Sequence, residues 1–90
     1  MGVVAETIEQ KLTAAFAPEA LDIVDQSHLH KGHAGAPEGG ESHFRVRIVS
    51  ASFDGQNRVA RQRAVNAALK DELAGPVHAL SVQALAPGEA

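Results

Sequence analysis

The 90-residue chain has no cysteine, no tryptophan, no tyrosine and only three phenylalanines. Without cysteine it can build no disulfide framework, offers no thiolate nucleophile, and cannot by itself hold a metal or cluster through sulfur. Imidazole and carboxylate are the only strong metal ligands it owns. With so few aromatics it is short of the stacking platforms on which single-stranded nucleic acids are bound. No apolar run approaches the roughly 18 residues of a membrane helix, and the opening "MGVVAE" has no basic segment ahead of an apolar block. These absences predict a soluble, cytoplasmic chain with no membrane partner. Met1-Gly2 is not expected to act as a myristoylation signal either, because Glu6 stands where that motif wants Ser or Thr. Positive charge is also in deficit: the net charge is −3 and the pI about 5.9, which argues against a surface devoted to phosphate backbones.

What is present is ordinary for a folded protein: 44% apolar and 21% charged residues place the chain in the globular range. Ninety residues support one core, so residues 1–90 are expected to form a single domain, with 1–3 and 86–90 fraying. Charge is unevenly spread. Residues 43–63 hold Arg45, Arg47, Arg58, Arg61 and Arg63 against Asp54 alone, which makes that segment +4 and leaves −7 for the rest. A local basic face on an acidic body is the expectation.

Val4, Ile8, Leu12 and Phe16 recur every four residues and make one helical stripe, which Pro18 ends. The β-branched run from Leu21 to Gln26 reads as a strand. "HFRVRIVS" alternates strictly, with Phe44, Val46 and Ile48 on one face and His43, Arg45 and Arg47 on the other. "FDGQN" is a turn whose Asn57 can cap the following helix, where Val65, Leu69 and Leu73 face the core until Gly75-Pro76 stops it. "HALSVQAL" alternates again and reads as a third strand. The order helix, strand, strand, helix, strand gives an α+β two-layer sandwich. Its second and third strands should be parallel, because a helix joins them, and its first and second antiparallel.

An antiparallel pair needs a connection of only two to five residues, roughly, yet residues 27–42 supply sixteen. Four of the five histidines lie between 27 and 44: His28, His30, His33 and His43. The fifth, His78, stands at the mouth of the third strand. Short His-rich tracts bind metal, whereas a glycine-rich loop is a poor frame for a complete one-chain zinc site. Spacing by itself leaves open whether these imidazoles are ligands or polar filler, and His78 has the equally plain role of bonding a neighbouring backbone group.

"VDQSHLHKGH", "GESHFRVRIVS", "FDGQNRVARQRAV" and "ELAGPVHAL", together spanning about Phe16 to Ala86, resemble the BolA-like proteins. One departure is visible: where the family usually shows Arg-His-Arg in the second helix, this chain has Arg61-Gln62-Arg63. The resemblance implies a KH-like α-β-β-α-β sandwich with a three-stranded mixed sheet. It also implies a heterodimer with a monothiol glutaredoxin in which a [2Fe-2S] cluster, completed by glutathione, is shared, in cluster trafficking and iron homeostasis. The isolated chain would hold no cofactor and would be a monomer or weak homodimer. Carried over, the family's ligands are His33 and His78, with His28 or His30 as alternates to His33. The donor set is consistent, since imidazoles in place of two thiolates raise the potential of a [2Fe-2S] centre.

The resemblance also admits a second function, a DNA-binding transcriptional regulator, with Arg45, Arg47, Arg58, Arg61 and Arg63 as a nucleic-acid or partner surface. The KH signature GXXG occurs as Gly32-His33-Ala34-Gly35, but between strands instead of between helices, so it is read as chance. Ser27-His28, Ser42-His43, Glu38 and Glu41 compose no nucleophile elbow or defined carboxylate pair, and the chain is not expected to be an enzyme.

Overall fold

A computed structural model describes residues 2–26 and 42–90. Helix α1 (Val3–Phe16) buries Ala5, Ile8 and Leu12, while Val4 and Phe16 complete the stripe half-buried. The helix ends because Ala17 turns into the left-handed region (φ 44°) with its N–H on the Thr13 carbonyl at 3.0 Å, and Pro18 cannot resume it. The Phe16 carbonyl left over at that end accepts the buried Ser50 hydroxyl at 2.6 Å.

Strand β1 (Ala20–Asp25) pairs antiparallel with β2 (His43–Val49), which pairs parallel with β3 (Ala79–Leu85), so β2 is central. Phe44, Val46 and Ile48 of β2 are fully buried. They are flanked in register by Leu21 and Ile23 on β1 and by Leu80, Val82 and Ala84 on β3. Burying each of these three β2 side chains is worth roughly 1.5–3 kcal/mol, so this strand carries much of the core.

A short 3₁₀ turn, Ala51–Phe53, follows β2 and inserts Phe53 against Phe16, ring centroids 5.0 Å apart. Gly55 then takes φ +76°, the conformation glycine adopts without strain. Asn57 caps α2 (Arg58–Ala68), its Oδ1 accepting the Ala60 N–H at 2.8 Å. The expected single helix to residue 74 is broken at Leu69 (φ −108°, ψ 22°), after which α3 (Lys70–Ala74) begins. No proline or glycine marks the break. With it, Glu72 sits buried against α1, where Lys11 Nζ reaches its two carboxylate oxygens at 3.0 and 2.9 Å and Asp71 at 3.5 Å. The hydrogen bond to Glu72 is the main reason that the Lys11 pKa is raised.

Both helical segments and α1 pack over one face of the sheet, giving the α+β arrangement that the element order predicts. Pro87–Glu89 forms a 3₁₀ turn in which Glu89 is paired with Arg61 and also accepts the Ala86 N–H at 2.8 Å. Among the described residues, no helix is long and apolar enough to cross a membrane.

Candidate metal centre

Because β2 and β3 run parallel, they begin at the same end of the sheet, and that is also where β1 stops. Residue 43 stands opposite residue 79, which brings His43 and His78 together with ring centroids 6.2 Å apart and planes inclined at 49°. Backbone bonds fix this meeting point. The Ser42 carbonyl accepts the His78 N–H at 2.7 Å and the Ala79 N–H at 3.2 Å, and the Gln26 N–H donates to the His43 carbonyl at 2.7 Å. The His43 ring is oriented by the buried Ser42 hydroxyl, whose Oγ lies 2.9 Å from Nδ1. His78 is exposed and His43 half-exposed, so both rings can present nitrogen to a ligand from outside.

The His28, His30 and His33 candidates lie outside the described residues. Their connection nevertheless leaves from Gln26 and returns at Ser42, beside the His43–His78 pair. His43, read from the alternation as one of the outward residues of β2, is the addition that the structure makes to the set. The predicted parallel pairing of β2 and β3 already puts their first residues at one end of the sheet; the register that brings the two rings together comes from the structure. Among the described residues no group of three or more His, Asp or Glu is placed to hold a metal ion, so the pair on its own is an incomplete centre.

The five arginines do not share one surface. Arg45 and Arg47 lie on the sheet face away from the helices, whereas Arg58, Arg61 and Arg63 belong to α2 on the other side. Arg58 and Arg63 are exposed. Arg61 is not available as a docking cation. Its Nε donates to the Gln56 carbonyl at 2.9 Å, Nη1 donates to the Ala84 carbonyl at 3.1 Å, and the fork grips Glu89, with Nη2 to Oε2 at 3.0 Å. Arg61 and the Ala86 N–H hold the Glu89 carboxyl at a pKa of about 2. Pairing with Glu89 raises the Arg61 pKa in turn. Gln62, in place of the family's usual histidine, donates its amide to Asn66 Oδ1 at 3.3 Å, within the helix.

The sequence from Leu12 to Glu89 matches the family of BolA-like proteins, and the chain belongs to that family. It is 46% identical over 89 residues to BolA-like protein 1 of Homo sapiens, covering 99% of this chain and 62% of that one, so it spans about three fifths of that relative's length. It is 44% identical over 80 residues to the DNA-binding transcriptional regulator BolA of Vibrio cholerae, covering 89% of this chain and 72% of that one. Its fold superposes on the BolA domain of SufE1 from Arabidopsis thaliana with a TM-score of 0.89 at 39% identity, covering 100% of this chain and 99% of that one.

Proposed function

We propose that this BolA-like protein docks on a monothiol glutaredoxin in the cytoplasm and completes the coordination of a shared [2Fe-2S] cluster through His33 and His78, in cluster trafficking and iron homeostasis. His28 or His30 is the alternate to His33. The observation that carries the reading is the placement of His78 beside His43 at the end of the sheet from which the histidine-bearing connection departs. A chain with imidazoles and no thiolate suits a cluster whose sulfur ligands come from elsewhere, here the glutaredoxin and glutathione. When bound, the cluster supplies electron-accepting iron. The chain supplies neutral nitrogen donors that protonation can remove as pH falls. The Ser42 carbonyl holds the backbone of His78 in place, so that ring is delivered from a rigid strand end.

The test is optical. Polypeptide without a cofactor does not absorb visible light, so visible absorption and circular dichroism report the cluster alone. Adding the protein to cluster-loaded glutaredoxin should change the spectrum, and His78→Ala should abolish the change. Substituting His33, His30, His28 and His43 singly identifies the second ligand. A spectrum unaffected by His78→Ala overturns the reading.

A second reading, DNA-binding regulation, draws support from the name of the Vibrio cholerae relative and from the exposed Arg58 and Arg63 on α2. Binding through phosphates should fall steeply as salt rises from low to moderate concentration, whereas cluster ligation should hardly change.

A further inference from the structure

His43, Arg45 and Arg47 are alternate residues of the central strand and project from the same side of the sheet, roughly 6.5–7 Å apart along it. The helices cover the other side. The open side is lined by Asp22 and Val24 of β1, Arg45 and Arg47 of β2, and Ser81 and Gln83 of β3, around a shallow concavity of about 530 Å³. In register, Val24 and Ser81 flank Arg45, and Asp22 and Gln83 flank Arg47. Arg45 is exposed and Arg47 half-exposed, and among the described residues neither is in an ion pair. Two guanidinium groups with no ion pair among the described residues, with Ser81 and Gln83 on one side and Val24 and Asp22 on the other, leave a net positive stripe on a chain whose net charge is −3. That stripe begins at the histidine pair.

We propose that this stripe is the docking surface for an acidic face of the thiolate-donating partner, with Arg45 and Arg47 taking its carboxylates while the histidine end meets the cluster. The proposal rests on the reading of the histidine centre given above. Continuity is its first support: a partner whose thiolates lie at His78 must extend over neighbouring surface, and the open sheet face adjoins that end. Charge complementarity is the second, since planar guanidinium groups pair with carboxylates in a two-pronged geometry that also fixes orientation. A nucleic acid suits the face less well. All three phenylalanines are buried or half-buried on the core side, so no ring is offered for stacking.

The experiment titrates the protein with cluster-free and with cluster-loaded monothiol glutaredoxin by calorimetry, at low and at moderate salt. The Arg45→Glu/Arg47→Glu variant should bind the cluster-free partner about tenfold or more weakly at low salt, with the deficit shrinking as salt rises. At saturating concentration it should still give the wild-type visible spectrum. His78→Ala should do the reverse, losing the spectral change and keeping cluster-free docking. Equal affinity of the double variant and the wild type at low salt overturns the stripe, whatever His78 does. Loss of docking in the double variant together with an unchanged His78→Ala spectrum supports the stripe and overturns the ligand assignment instead. Should the double variant fail to fold, the wild type decides: cluster-free affinity indifferent to salt sinks the proposal. Weakened binding of a duplex DNA probe, with glutaredoxin affinity intact, also overturns it.

Discussion

Replacing Phe44 with alanine tests the alternation on which both the core and the proposed surface depend. The Phe44 side chain is 1% exposed and packs at the centre of the sheet's covered face. Removing it forfeits about 2–3 kcal/mol of transfer free energy. Adding the cost of the cavity brings the loss to about 3–5 kcal/mol. A domain of this size has about 5–15 kcal/mol in total, so the variant should be marginal or unfolded at 37 °C. Its midpoint should fall by about 4–8 °C for each kcal/mol, at least 12 °C in all. Arg45→Leu, one residue along and on the opposite face, should stay within about 0.5 kcal/mol of the wild type. Far-ultraviolet circular dichroism during thermal and urea unfolding measures both, since the chain has no Trp for fluorescence. A Phe44→Ala change of less than about 1 kcal/mol, paired with strong destabilisation by Arg45→Leu, would mean that β2 sits one residue out of the described register, which exchanges its faces.

Two further outcomes follow from particular bonds. Asn57→Ala, which removes the side-chain acceptor for the Ala60 N–H, should lower the urea midpoint by the equivalent of about 1 kcal/mol, and Asn57→Asp should retain most of it. Glu89 has its pKa lowered from 4.5 to about 2, so the stability from its pairing with Arg61 is fully present above pH 4.5 and is lost as pH falls through about 2. The Ala86 amide resonance should therefore titrate with a midpoint near pH 2 in the wild type and show no such step in Glu89→Gln; a midpoint near 4.5 refutes the pairing.

Much of this architecture is legible in local pattern. The four-residue stripe of α1, the strict alternation of β2 and β3, and the Asn57 cap all act over a few residues, where periodicity and turn chemistry dominate. What escapes is set by partners far along the chain. The pairing of Glu89 cannot be read from "APGEA" because its cation, Arg61, lies 28 residues upstream, and for the same reason Arg61 reads as a free surface charge. The break at Leu69 has no glycine or proline to announce it, and the burial of Glu72 depends on Lys11, 61 residues away. At the histidine end, the parallel strands were expected, but the closeness of His43 to His78 depends on a register that crossover length alone does not specify.

The hydrogen bond from the Gln26 amide to the His43 carbonyl extends the β1–β2 ladder one rung beyond Asp25, so the two ends of the histidine-bearing connection are pinned side by side. The strand ladder, from the Ala20–Val49 pair to this last rung, therefore sets the separation at which the connection leaves and returns. A protein engineer who grafts another connection between Gln26 and Ser42 thus inherits two fixed anchor points beside the His43–His78 pair.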